Sequence, residues 1–147
     1  MTTPETAAPD MINRPPHYVG VGGLEAIDVL ELYDLGLHLG TAMAYLLRAG
    51  RKGPAAEDLR KARWWMVRWF RDGCSLAIAR SAALEWRTPD EIVLAFGLSG
   101  AHADLTRRIL YAAVFDQDQD FVAEMRLVLR ILDAAIAEAE AAAEVAP

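Results

Sequence analysis

From Leu24 to Ala143, apolar residues recur at intervals of three and four between glycine and proline breaks. No segment alternates apolar with polar in the way a half-buried strand requires. That periodicity restricts the chain to helices packed on helices, an all-α fold built as a compact bundle of about six or seven helices. Leu24 to about Leu35 sets Leu24, Ile27, Val29 and Leu30 beside Glu25, Asp28 and Glu31, and Gly36 is expected to end it. Leu37 to Ala49 forms a second helix with Leu39, Met43, Leu46 and Leu47 inward, and Gly40 offers room for close helix contact. Pro54 to Asp72 forms a third, in which Leu59, Ala62, Met66, Trp69 and Phe70 fall within about one third of a helical wheel.

The second half follows the same rule. Ser75 to Trp86 is Ala-rich and expected to be helical. Thr88-Pro-Asp-Glu91 combines an N-cap, a first-turn proline and a third-position acid, so a capping box starts a helix that runs to about Phe96 and stops at Gly97. Ser99 or Gly100 begins another with Leu105, Ile109, Leu110 and Ala113 inward. Asp116 to Asp120 reads as a polar break. Phe121 to about Ala143 is the last helix, with Phe121, Met125, Val128, Leu129, Leu132 and Ile136 on one face.

A chain of 147 residues can bury roughly two thirds of its unfolded surface in a single core. Three stretches are expected within that unit: a flexible tail over residues 1–12, a segment over 13–72, and a helical extension over 73–147 packed on it. No apolar run approaches a membrane span and no leader-like pattern opens the chain, so the expected location is cytoplasmic, with no membrane partner. The one cysteine, Cys74, excludes an intramolecular disulfide and reads as a buried or incidental thiol.

Charge is distributed unevenly. The chain carries a net −6, yet Tyr45 to Arg71 holds eight cations against Glu57 and Asp58 alone. Within it, Arg48-Ala-Gly-Arg-Lys-Gly53 sets three cations around two glycines just before Pro54 can open a helix. A helix, a tight basic corner and a second helix bring guanidinium, ammonium and backbone N–H groups together, which suits a phosphate. Arg48, Arg51 and Lys52 are the candidate phosphate ligands, with Lys61 one turn after Asp58. Replacing Arg48 or Arg51 by Ala is expected to weaken binding. The other reading of the same residues is an ion-pair lock, in which Arg48 and Lys52 meet Glu57 and Asp58 and fix the angle between helices. Upstream, Asn13-Arg-Pro-Pro-His-Tyr18 is expected to be extended and to present His17 and Tyr18. Arg60, Lys61, Trp64, Arg68 and Arg71 gather into a ridge on the third helix, which either stacks and neutralises a nucleotide or single strand or is a solvated face.

Four motifs, Asn13-Arg-Pro-Pro-His-Tyr18, Gly22-Gly-Leu-Glu-Ala-Ile-Asp28, Tyr45-Leu-Leu-Arg-Ala-Gly-Arg-Lys-Gly53 and Glu57-Asp-Leu-Arg-Lys-Ala-Arg-Trp-Trp65, together resemble the phage SaV-like domain of unknown function, over about residues 12–72. That domain occurs alone in phages and prophages and as part of a coliphage nucleotide kinase. The resemblance implies binding of nucleoside monophosphates and phosphoryl transfer to them; the candidate ligand site is drawn from His17, Tyr18, Tyr45, Arg48, Arg51, Lys52, Lys61 and Trp64. Where family members commonly carry Asn-x-x-Lys-Tyr, this chain reads Thr41-Ala-Met-Ala-Tyr45, so Ala44 replaces a cation. The sequence contains no P-loop, so any phosphoryl transfer needs another phosphate site.

Two other classes compete. Glu25 and Asp28, one turn apart, and Asp58 at the start of the third helix are the carboxylates that could hold Mg²⁺, as in all-α nucleotide pyrophosphatases, although the paired motif of those enzymes is incomplete. A non-enzymatic accessory protein is the remaining class, binding single-stranded nucleic acid or a host protein, or assembling into a homo-oligomer through its C-terminal helices.

Overall fold

A computed structural model of the chain describes residues 7–74, 83–116 and 118–145. Seven helical segments follow in order: α1 (Ala26–Tyr33), α2 (Gly36–Arg48), α3 (Ala55–Arg71), the short α4 (Ala83–Trp86), α5 (Pro89–Ala95), α6 (Gly100–Phe115) and α7 (Asp118–Val145). No strand occurs among the described residues, and the fold is an all-α bundle of about six substantial helices. No described helix is long and apolar enough to cross a membrane.

Each helix is anchored by the apolar positions its period requires. Leu39, Met43, Leu46 and Leu47 of α2 and Leu59, Ala62, Met66 and Trp69 of α3 are buried, and these two helices form an antiparallel hairpin across the basic corner. Leu105, Ile109, Leu110 and Ala113 of α6 and Phe121, Met125, Val128 and Leu132 of α7 complete the same cluster. Trp69 meets Phe121 edge to face at 5.8 Å, so α7 closes directly on α3. The Tyr33 hydroxyl, buried at the end of α1, donates to the Arg87 carbonyl at 2.8 Å and ties α1 to the α4–α5 junction.

Several local expectations are corrected. Helix α1 starts at Ala26, because Asp28 Oδ2 accepts from the Glu25 N–H at 3.3 Å and fixes the first turn there. Its end is set by Asp34 in the left-handed conformation (φ 42°), a position a short polar side chain tolerates, and Gly36 opens α2 rather than closing α1. Ile27, assigned inward, is 54% exposed; Ala26, Val29 and Tyr33 take the buried face. A Cβ placed at Gly40 would meet nothing within 4 Å, so no close contact inside the molecule requires glycine there. The two prolines lead into a 3₁₀ turn over Pro16–Tyr18 instead of an extended arm. The expected tail contains an Asp10 turn whose carboxylate accepts from the Ile12 and Asn13 backbone at 3.1 and 2.9 Å. The expected polar break is short, since α7 already includes Asp118. Most of the expected Ser75–Trp86 helix lies outside the described residues, as do residues 1–6 of the tail.

Thr88 does cap α5. Its Oγ1 accepts from the Glu91 N–H at 3.2 Å, while its own O–H donates to the Glu91 carboxylate at the same distance. Thr88→Ala is expected to cost about 1 kcal/mol, read as a lower urea midpoint with an unchanged slope.

Candidate functional site

The corner between α2 and α3 is built around a buried ion pair. Arg48 Nε and Nη2 donate to Asp58 Oδ2 and Oδ1 at 3.0 and 2.7 Å, a two-pronged pairing across the turn. Only 13% of the Arg48 side chain and 3% of the Asp58 side chain remain exposed. The third Arg48 nitrogen, Nη1, donates to the Tyr18 hydroxyl at 3.1 Å, and the guanidinium lies 4.9 Å from the Tyr45 ring centroid. Hydrogen bonding to Asp58 raises the Arg48 pKa further above its usual value. Of the two readings of Arg48, the structure shows the ion-pair lock. Each of its three nitrogens has a partner, so Arg48 frames the corner.

Arg51 is engaged as well. Its Nη2 donates to the Val19 carbonyl and its Nη1 to the Phe96 carbonyl at 3.3 Å. It therefore staples the N-terminal arm and the end of α5 onto the corner, because both carbonyls terminate short helical turns and have no intrahelical donor.

What remains open is smaller. Lys52 is exposed and has no ion-pair partner among the described residues. Lys61 pairs with Glu57 at 3.0 Å, with Asp58 Oδ1 farther off at 3.9 Å, and its Nζ stands 5.6 Å from the Tyr45 centroid. His17 packs on Tyr18 with ring centroids 4.6 Å apart. Partial burial, then the positive charges of Lys52 and Arg48, hold the His17 imidazole below its usual pKa, so it faces the corner as a neutral hydrogen-bonding group. His17, Tyr18, Tyr45, Arg48, Lys52, Asp58 and Lys61 thus form one cluster.

Beside it lies an apolar cleft of about 380 Å³ between the arm, α1 and α2. Asn13, Pro15, Tyr18, Ile27, Leu30 and Ala44 line it, with Glu25 at its edge. Sequence reasoning singled out the basic corner but not this cleft. Its walls come from three separate stretches, and Tyr18, Glu25 and Ala44 were singled out for other reasons and not as parts of one cleft.

Trp64 is not part of the cluster. It is 56% exposed, edge-on to Trp65 at 5.0 Å, with Arg68 stacked at 5.9 Å. The ridge that was to surround it is largely paired. Arg60 meets Glu140 and Arg63 meets Asp133 at 2.7 Å, both acids on α7, while Arg68 meets Asp72 at 3.2 Å. Nor do the carboxylates assemble a metal centre. Glu25 faces Arg14 at 3.7 Å, Asp28 caps α1, Asp58 is locked by Arg48, and no group of three or more metal-ligating side chains occurs among the described residues.

Comparison with known proteins adds one assignment. No curated protein and no solved structure matches the chain. Residues 12–66, the stretch that supplies the arm, the cleft and the corner, match the DUF3310 family model, described as a protein of unknown function.

Proposed function

We propose that the cluster and its cleft bind a mononucleotide, with the base in the apolar cleft and the phosphate toward Lys52 and Lys61. The observation that carries this reading is the position of Tyr18: its ring lines the cleft while its hydroxyl accepts from Arg48, so one side chain belongs to both halves of the site. A flat apolar slot joined to cations is the shape a base and its phosphate require. The resemblance to the SaV-like domain supports the same ligand class. The Arg48–Asp58 pair supplies rigidity, Lys52 and Lys61 supply charge, and neutral His17 supplies a hydrogen bond. Phosphoryl transfer is the sharper form of this proposal, and it requires a phosphate donor bound at a second position.

The test is a thermal-shift panel of the full chain against deoxynucleoside mono- and triphosphates, with and without Mg²⁺. A ligand at 100 times its Kd adds about 2.7 kcal/mol, equivalent to roughly 5–10 °C for a chain of this size. A shift selective for one base, reduced at least tenfold in affinity by Lys52→Ala, is the expected result. No shift with any nucleotide would overturn the proposal. A selective shift then justifies following phosphate transfer from a triphosphate.

A further inference from the structure

Helix α2 carries an exposed apolar residue beside a groove that it shares with α1. Leu37, in its first turn, is 71% exposed and stands out as an apolar knob. It stands at one end of a groove along α1 and α2 that Leu30, Asp34, Gly36, Gly40, Thr41 and Ala44 also line. Leu37 and Ala44 are seven residues apart, about 10.5 Å along the helix, with Gly40 and Thr41 midway. Nothing in the molecule occupies the space above Gly40, and the Thr41 hydroxyl is turned onto its own helix, donating to the Leu37 carbonyl at 2.6 Å. The face therefore presents little polar surface that needs water.

We propose that α2 is the interface of an antiparallel, two-fold homodimer. A two-fold axis through Gly40 and Thr41 seats the Leu37 of each copy against the Ala44 and Leu30 of the other, which is the reciprocal pairing that closed symmetry demands. Charge supports a second copy as the occupant. Glu31 and Asp34, at the end of α1 beside the groove, are exposed and have no ion-pair partner among the described residues. The same two-fold axis carries them toward the basic corner of the second copy, where Lys52 is equally unpaired. Exposed apolar surface with acids at one end and a cation at the other is satisfied by its own inverted image. This inference does not rest on nucleotide binding. The two are linked, because Leu30 and Ala44 also line the cleft proposed for the base and Lys52 the corner proposed for the phosphate, so a nucleotide and a second copy would compete for both.

Sedimentation velocity of the nucleotide-free full chain over a concentration series tests it. The expected result is a reversible species of twice the 16.1 kDa chain mass. Leu37→Glu, on an exposed position in the first turn of α2, should weaken association at least tenfold while leaving the melting temperature of the monomer unchanged. Gly40→Leu should do the same by filling the gap between the helices. Lys52→Glu should weaken association, and Glu31→Lys added to it should restore it. A chain that stays monomeric into the high micromolar range overturns the proposal. So does a dimer indifferent to both Leu37→Glu and Gly40→Leu, which would locate the interface elsewhere, for instance on α7.

Discussion

Arg48→Ala should destabilise the protein by about 3–5 kcal/mol, a far larger effect than loss of an ordinary surface cation. Removing the guanidinium strands the Asp58 carboxylate, whose side chain is 3% exposed, without the charge that compensates its desolvation. It also removes the donor to the Tyr18 hydroxyl and the cation against the Tyr45 ring. For a chain of 147 residues the loss corresponds to a fall of roughly 6–20 °C in melting temperature. Arg48→Lys keeps the charge but not the two-pronged geometry, so it should fall between. The apolar double replacement Arg48→Met with Asp58→Leu should recover most of the stability, since a buried pair is worth little more than packed hydrocarbon once both members are gone. Calorimetry on the wild type and these three variants measures each loss. A loss below 1 kcal/mol for Arg48→Ala would mean the pair is solvated and the corner is not built on it.

The same pair reassigns the roles of the cations. Affinity lost on replacing Arg48 or Arg51 would mix ligand contact with collapse of the corner, because one holds a buried acid and the other holds two backbone carbonyls. Lys52 separates the two effects. It is exposed, bonds nothing among the described residues, and can be removed without leaving a buried partner.

How far the sequence could be read follows from the range of each interaction. Helix-period signals are local, and the faces of α2, α3, α6 and α7 follow from them: Leu39, Met66, Ile109 and Val128 are all buried. Asp58 was harder, because an acid in a first helical turn ordinarily stabilises the dipole in solvent, and only its partner ten residues earlier shows that it is interior. The basic ridge was read too generously for the same reason. Arg60 of the ridge pairs with Glu140, 80 residues away, and its neighbour Arg63 with Asp133, 70 residues away, on a helix whose acids look like a solvated tail. Arg51 had no signal, since its acceptors are backbone carbonyls. The apolar cleft was invisible because its walls are pieces of three segments, each of which alone looks like loop or exposed helix.

The DUF3310 match stops at residue 66, within α3, whereas the packing does not, and a chain cut after Asp72 should therefore fail to fold. In the intact protein Met66 and Trp69 belong to one cluster with Phe121, Met125 and Val128, and Trp69 contacts Phe121 directly. The α2 side depends on α6 as well: His102 Nε2 lies 2.6 Å from the Leu46 carbonyl and is partly buried there. Without α6 and α7, the apolar faces of α2 and α3 would lie open to water, and the remaining segment would fall in the size range where a single core is marginal. Residues 1–72 are expected to show weak helical circular dichroism, no cooperative thermal transition and collapsed amide dispersion. Adding residues 73–147 in trans should restore helix content, because the missing contacts are side-chain packing and need no covalent link. Phe121→Ala in the full chain gives the graded version, an expected loss of about 3–5 kcal/mol from an aromatic ring with no exposed surface. A sharp transition in residues 1–72 alone would show that the arm, cleft and corner stand without the second half, and would make α6 and α7 an addition to the site rather than the wall that holds it.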